Sequence, residues 1–279
     1  ANLSVTSGVS AQNLVNNTLI GGDCFEVTNI TSYGNNNSRG TFTNGATNIG
    51  IQNGMVLATG PVNRLPGPNN TGMASGGFNN NTPNDPDLAA VVGGNQWDLS
   101  TIEFDFTPTA SMVQFDFVFG SEEYCEYVNS QFYDVFGFFI SGPGIIGNQN
   151  IALITGSNTP VTTNNVNHLT NNAYYVNNNN NLPFDCLFLP TAALNECQLD
   201  GWTTVFTAIA DVIPCSTYHI KLAIADIGDD DYTSAVFLRA NSFNAGGSST
   251  VAVQYPFGQS AALEACDTTF LRFIRGNSD

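Results

Sequence analysis

The stretch Thr101–Phe119, which reads TIEFDFTPTASMVQFDFVF, decides the fold class of this chain. An apolar residue stands at every second position in both of its halves, and these residues are Ile102, Phe104 and Phe106, then Val113, Phe115, Phe117 and Phe119. A period of two is typical of a β-strand with one buried face. The turn at Thr107–Ser111 contains Pro108, so we predict a hairpin of two strands whose Phe-rich faces point inward.

The same pattern extends along the rest of the chain. Further strands are predicted at Val135–Ser141, Asn150–Thr155, Trp202–Ile209, Thr217–Ala225 and Ser234–Ala240, each bounded by Gly, Pro, Asn or Asp residues that favour turns. Only two short helices are predicted, at Asp85–Val92 and Ala192–Cys197. Many strands with long Asn-rich loops predict an all-β fold, a two-sheet antiparallel sandwich that is jelly-roll-like.

Composition limits the classes of partner. The chain has 279 residues and a hydrophobic share of 42%, which is too high for intrinsic disorder. Asp and Glu number 23 against 6 Lys and Arg, so the formal net charge is -17. Such a field repels nucleic acid and attracts divalent cations. Direct membrane insertion is not expected either, because no apolar run approaches the ~20 residues of a spanning helix.

The start of the chain and its cysteines indicate export. The sequence begins at Ala1 without Met or an apolar leader, which favours a secreted protein with a cleaved signal. The six cysteines form no CxxC pair, so disulfide bonds are expected rather than zinc. The preferred pairs are Cys186–Cys197, which closes a short loop, and Cys125–Cys215, and other pairings remain open.

The chain divides into three parts. Residues 1–243 contain the predicted sandwich, and residues 244–250 form a Gly/Ser-rich linker. Residues 251–279 resume a β-like pattern, which predicts the start or the edge strand of a following β module.

Two acidic segments are candidates for a metal site. The first carries Glu122, Glu123 and Asp134 between two Phe-rich strands, and the second carries Asp226, Asp229 and Asp231 between two further strands. Calcium prefers six to eight oxygen ligands, which carboxylates, Asn side chains and backbone carbonyls supply in sandwich loops. The alternative is a pair of solvated acidic turns. Because both segments are present, we predict Ca²⁺ as a structural ion.

Two longer stretches resemble a known family. They are FDFVFGSEEYCEYVNSQFYDVFGFFISGPG, Phe115–Gly144, and TYHIKLAIADIGDDDYTSAVFLRANSF, Thr217–Phe243. Together they resemble the choice-of-anchor L domain of bacterial surface proteins, which is frequent in Bacteroidota adhesins exported by type IX secretion and associated with gliding motility. The resemblance covers roughly residues 14–243. The family usually shows Asp-Ser before the VFL strand, where this chain has Thr233 and Ser234.

The resemblance implies a location at the cell surface more than a chemistry. We expect a non-catalytic extracellular module of a secreted adhesin or filament protein, stabilised by calcium, that contacts other surface proteins or subunits of a longer assembly. Catalysis is not expected, because the chain has only His168 and His219 and lacks the motifs of hydrolase and nucleotide-binding sites. A glycoside-active enzyme with paired carboxylates is the least favoured alternative.

The main alternative is a calcium-dependent, lectin-like domain that binds glycans. Aromatic rings stack on sugars, and Tyr174 and Tyr175 are predicted to be an exposed pair because they lie in a polar loop.

Overall fold

The computed structural model describes residues 2–20, 26–47, 49–74, 76–78, 82–178 and 197–246, together with the backbone of two later strands. Within these residues, the two α-helices are α1, Ala11–Leu14, and α2, Pro86–Val91. The first strands are β1 Ser4–Ser7, β2 Glu26–Tyr33, β3 Arg39–Thr43, β4 Asn53–Ala58, β5 Gln96–Thr107, β6 Met112–Ser121, β7 Val135–Ser141 and β8 Gln149–Asn150. The later strands are β9 Tyr175–Asn177, β10 Gly201–Thr203, β11 Phe206–Asp211, β12 Tyr218–Ile227, β13 Ser234–Arg239, β14 Ser249–Gln254 and β15 Phe270–Arg275.

The strands form two antiparallel sheets packed as a sandwich, which confirms the predicted fold class. The large sheet has the order β1-β3-β4-β13-β6-β10-β9, and β11 also pairs with β6. The small sheet has the order β2-β5-β12-β7-β8. Strands β14 and β15 pair with each other, and the proposed division of the chain at residues 244–250 stays a prediction.

The core between the sheets is built from phenylalanine rings. The ring of Phe117 on β6 lies 5.0 Å from that of Phe138 on β7, which belongs to the opposite sheet. The predicted alternation is correct, since every apolar residue that defined it is buried. The other face of β6 is covered as well, because Val118 belongs to a second buried cluster with Trp202 and Phe237.

The predicted hairpin of the first two Phe-rich strands is wrong. Strand β5 pairs with β2 and β12 in the small sheet, whereas β6 pairs with β13, β10 and β11 in the large sheet. The segment around Pro108 therefore crosses from one sheet to the other. The two Phe-rich faces then meet across the core. This arrangement buries more apolar surface than a hairpin would, because in a hairpin both faces would lie side by side in one sheet.

Several predicted elements change in extent. The strand expected at Trp202–Ile209 is interrupted at residues 204–205 and divides into β10 and β11. Of the strand expected at Asn150–Thr155, only Asn150 lies in a strand, as the second residue of β8. Helix α2 confirms the prediction at Asp85–Val92, and Asp85 caps it by accepting hydrogen bonds from the backbone of Asp87 and Leu88. The helix expected at Ala192–Cys197 lies outside the described residues except for its last position.

Both predicted disulfides are wrong, because Cys197 and Cys215 are free. Cys125 is disulfide-bonded, but neither of these two is its partner. Cys215 donates its backbone N–H to Pro108 at one end of the sandwich, and Cys125 follows β6 at the other end. A strand of 10 residues spans about 30 Å, far beyond the ~7 Å that a disulfide bridges between Cα atoms. Cys197 is buried in the second apolar cluster, and Cys186 lies outside the described residues.

Candidate functional site

Two sheet-crossing segments lie at the same end of the sandwich. The first arch, residues 122–134, leads from β6 in the large sheet to β7 in the small sheet, and the second arch, residues 228–233, leads from β12 back to β13. The register fixes this arrangement, because Ser121 pairs with Ser234 and Ala225 pairs with Val135. The two acidic segments of the sequence therefore come together, as a pair of adjacent arches over one end of the core.

Glu122 joins the two arches to a third segment. Its Oε1 accepts a hydrogen bond from Ala74 N at 2.9 Å, and its Oε2 accepts one from Thr233 N at 3.2 Å. The backbone N–H of Glu122 also donates to Thr233 O at 3.1 Å. Only the backbone of Thr233 takes part in these contacts, so the position does not need an acidic side chain to make them. Glu122 is 1% exposed and acts as a structural bridge.

Glu123 closes the first arch on itself. Its Oε2 accepts a hydrogen bond from Asp134 N at 3.0 Å, and its own N–H donates to Ser121 Oγ at 2.8 Å. Burial, followed by the charge of Asp134, raises the pKa of this carboxyl group well above its usual range. A buried carboxyl group with a raised pKa is favoured in its neutral form unless a cation compensates its charge.

Asp134 and Asp226 form the centre of the cluster. Each side chain is 1% exposed, and neither oxygen of Asp134 nor Oδ1 of Asp226 has a hydrogen-bond partner. The Asp134 carboxyl group lies beside that of Asp226, the hydroxyl group of Ser234 and the backbone of Ile227, and Thr59 lies beside Asp226, but none of these neighbours is in hydrogen-bond geometry with the three oxygens. Burial raises the pKa of Asp134 to about 7, and burial with the charge of Asp134 raises the pKa of Asp226 well above its usual range.

The arrangement allows two ways of neutralising this pair. Two adjacent buried carboxylates repel each other, so they either share a proton or bind a cation. Two carboxylates and the hydroxyl groups of Thr59 and Ser234 are oxygen donors of the kind that hard cations prefer. Within the described part of the chain, no three Asp, Glu, His or Cys side chains form a group that could hold a metal ion. A cation at this position would therefore need hydroxyl, carbonyl or water oxygens to complete its shell.

Two of the predicted ligands lie outside the buried cluster. Asp231 is exposed and Asp229 is only partly buried on the second arch, where Asp229 Oδ1 accepts a hydrogen bond from Asp231 N at 3.3 Å. This contact stabilises the turn and does not bring either carboxylate into the core. The structure thus links Glu123 with Asp134 and Asp134 with Asp226, buries Glu122 in separate contacts with Ala74 and Thr233, and leaves these two nearer the surface.

Sequence reasoning missed a further buried acid, Asp200. It is 0% exposed, its Oδ1 accepts a hydrogen bond from Asn69 Nδ2 at 2.7 Å, and its Oδ2 has no partner. Burial raises the pKa of Asp200 to about 9. The sequence around it, Leu199–Ala208, indicates only the start of a strand, because the residue that contacts Asp200 is far away in the chain.

The predicted exposed tyrosine pair is wrong. Both side chains are partly buried: the ring of Tyr174 lies 5.2 Å from that of Phe206, and the ring of Tyr175 lies 4.8 Å from that of buried Tyr124. The polar loop around them folds back over the core, and both rings are partly buried against other aromatic rings. Each of the two rings therefore contacts another aromatic ring, and the role of the pair in binding sugars stays a prediction.

His219 lies near the start of β12. It lies on the face of the small sheet that points away from the core, with its Nδ1 2.7 Å from Asp105 Oδ1 and its Nε2 3.2 Å from Glu103 Oε2. Its side chain is 43% exposed. Both ring nitrogens are engaged by these carboxylates, which is typical of a histidine that ties neighbouring strands together.

Comparisons with known proteins give one finding. The family model described as the Choice-of-anchor L domain matches residues 4–244. Comparison with curated proteins and with solved structures gives no match. None of the helices in the described part of the chain combines the length and the apolar character of a membrane span. The match extends over far more than half of the chain, and the chain therefore belongs to the Choice-of-anchor L domain family, whose name indicates a surface-anchored extracellular module.

Proposed function

We propose that the chain is a non-catalytic module of a secreted cell-surface adhesin or filament protein, stabilised by calcium and making contacts with other surface proteins. Family membership supports the extracellular location. Export by the type IX system and a role in gliding motility belong to the same proposal and rest on the resemblance of the two long sequence stretches. A two-sheet sandwich with arches at its end is a rigid scaffold suited to such a role.

The proposal that calcium stabilises the module is supported by the pair of Asp134 and Asp226. Both oxygens of Asp134 and Oδ1 of Asp226 are buried without a hydrogen-bond partner, and a divalent ion would neutralise both charges at once. The pair joins the start of β7 to the end of β12, next to both arches. A bound ion would thus stabilise the end of the sandwich by holding these segments together.

We expect calcium to raise the melting temperature of the chain. A ligand at ~100 times its dissociation constant adds ~2.7 kcal/mol, which corresponds to a rise of about 5 to 10 °C for a domain of this size. The measurement is thermal unfolding in millimolar calcium and in chelator. Asp134→Asn and Asp226→Asn should each abolish most of the difference, because each removes one charged ligand.

Asp231→Asn is the matched control for these variants. It makes the same change of charge on the exposed surface of the second arch, so its calcium-dependent shift should equal that of the unmodified chain. Equal melting temperatures with calcium and with chelator would contradict the calcium proposal. A shift that is lost equally in all three variants would place the ion elsewhere.

The contact function has its own experiment. Beads coated with the chain should be retained by the surface of cells that carry the full-length protein, and soluble chain should compete for this retention. Beads coated with the chain after thermal unfolding provide the control for non-specific adsorption. Retention that is equal for folded and unfolded coatings would contradict a specific contact.

A further inference from the structure

A cavity of about 610 Å³ opens beside the turn between β2 and β3, away from the buried carboxylate pair. The described residues of its walls come from this turn and from the beginning of β5, together with Phe78 and Thr82, and they include Tyr33, Asn36, Arg39 and Asp98. Pockets for small ligands in proteins measure roughly 300–1,000 Å³. The volume is therefore sufficient for one or two sugar rings.

Arg39 is the unusual residue of this wall. It is 6% exposed, its Nη1 donates to Tyr33 O at 3.4 Å, its Nη2 donates to Asn36 Oδ1, and its Nε has no acceptor. Among the described residues, no carboxylate pairs with it. Lys221 and Arg239, by contrast, contact Asp85 at 2.6 Å and Asp116 at 2.9 Å, respectively.

A buried guanidinium without a counter-ion is costly, and burial lowers the pKa of Arg39 accordingly. The chain has 23 acidic residues that could have provided a partner, yet the group faces a cavity instead. An anionic group of a ligand would supply the missing charge, since guanidinium and carboxylate form strong, directional hydrogen bonds.

The rest of the wall matches a sugar. The side chain of Tyr33 is 47% exposed and offers a ring face, and Thr82 and Asn36 offer a hydroxyl and an amide. Asp98 is 3% exposed, and its Oδ2 already accepts a hydrogen bond from Phe78 N at 2.6 Å, so it holds the wall in place. The single cation limits the ligand to one carboxylate at the site, because the net charge of -17 disfavours further anions.

We propose that this cavity binds a saccharide bearing one carboxylate, a uronic acid unit, with the carboxylate on Arg39 and the sugar ring against Tyr33. The proposal is independent of the calcium site, because the cavity shares no residue with the Asp134–Asp226 pair. It assigns glycan recognition to a different surface from the partly buried Tyr174 and Tyr175.

The first experiment compares two ligands that differ only in the carboxylate. Titration calorimetry with methyl β-D-glucuronide and with methyl β-D-glucoside should show at least about tenfold tighter binding of the glucuronide, as expected for one charge-assisted interaction. Equal affinities would overturn the role of Arg39. Acetate is the third probe, and an affinity for acetate equal to that for the glucuronide would overturn the saccharide part of the proposal.

The second experiment places the ligand in the cavity. Arg39→Gln should abolish the preference for the glucuronide, whereas Arg239→Gln, which removes the same charge outside the cavity, should keep it. Tyr33→Ala should weaken the binding of both saccharides by a similar factor. It should leave folding intact, because about half of Tyr33 is exposed. If Arg39→Gln fails to fold, the binding affinities of Tyr33→Ala provide the test. Unchanged affinity of this variant for both saccharides would overturn the proposal.

Discussion

At the scale of single residues, Asp200 links burial to a pH dependence of stability. Its pKa is raised by burial from 3.8 to about 9, so the folded chain retains a proton that the unfolded chain releases. Between these two values the folded state binds more protons, and stability therefore falls as the pH rises through this window. Above the upper value both states are ionised and no further loss follows.

Asp200→Asn should remove this contribution, because the amide resembles the neutral carboxyl group in shape. We expect urea unfolding from about pH 5 to about pH 9 to show a smaller loss of stability for Asp200→Asn than for the unmodified chain. Asp231→Asn should keep the original slope, since that side chain is exposed. Parallel profiles for Asp200→Asn and the unmodified chain would show that Asp200 is ionised in the folded state.

The two cysteines that are free in the described part of the chain should differ in reactivity. Cys215 is exposed, whereas Cys197 is buried and its pKa is raised by burial to about 12. Because the thiolate is the reactive form, a thiol reagent should label Cys215 in the folded chain and Cys197 only after unfolding. Peptide mapping by mass spectrometry reports both positions. Labelling of Cys197 at the rate of Cys215 in the folded chain would contradict its burial.

At the scale of elements, β6 packs against β7 of the opposite sheet through its phenylalanine rings. The ring of Phe117 contacts Phe136, Phe138 and Phe206 at centroid distances of 5.7, 5.0 and 5.8 Å. Phe117→Ala should reduce the free energy of unfolding by about 3–5 kcal/mol, because it removes buried area and leaves a cavity. Ile209→Ala on the adjacent β11 should change it by only about 0.5 kcal/mol, since Ile209 is 50% exposed.

Urea unfolding measures both changes. Equal losses for Phe117→Ala and Ile209→Ala would indicate that the Phe-rich face is loosely packed.

The same elements show how far the sequence predicts the fold. Strand β7 begins and ends where its pattern predicted, at Val135 and Ser141, because alternation and flanking turns are local properties. The pairing of β5 with β6 was predicted wrongly, because a period of two indicates which side chains are buried and not which strand lies alongside. The interruption between β10 and β11 was missed for a similar reason, since both pieces continue one apolar pattern.

The candidate site was predictable in part. Glu122, Glu123, Asp134 and Asp226 were found because acidic residues cluster in the sequence next to strand ends. Their burial was not predictable, since it depends on both arches closing over the same end of the sandwich. Arg39 and Asp200 escaped notice because what makes them unusual, a missing counter-ion and a distant Asn69, arises only from long-range packing.

At the scale of the whole molecule, the segment after β13 completes the core. The ring of Phe243 lies 5.3 Å from Phe104, 5.2 Å from Phe106 and 5.4 Å from Phe115, and the N–H of Thr109 donates to Ala245 O at 2.8 Å. A chain that ends after Gly246 should therefore melt at the temperature of the full chain. A chain that ends after Ala240 should be less stable by at least about 3 kcal/mol, the usual cost of losing a buried Phe.

Thermal and urea unfolding compare these truncations, and Phe243→Ala in the chain that ends after Gly246 separates the ring from the rest of the segment. A clearly lower melting temperature of the chain ending after Gly246 would mean that residues beyond it contribute to the sandwich.

The edge strands of the small sheet affect how copies of the chain associate when they are crowded together. One edge strand, β2, is interrupted by a register shift between Thr28 and Thr31, and the other, β8, has two residues. Long, flat edge strands recruit strands from other molecules, whereas bulged or very short ones do not. Copies held side by side at high local concentration are thus protected from joining through this sheet, so that dense display does not lead to β-aggregation along it.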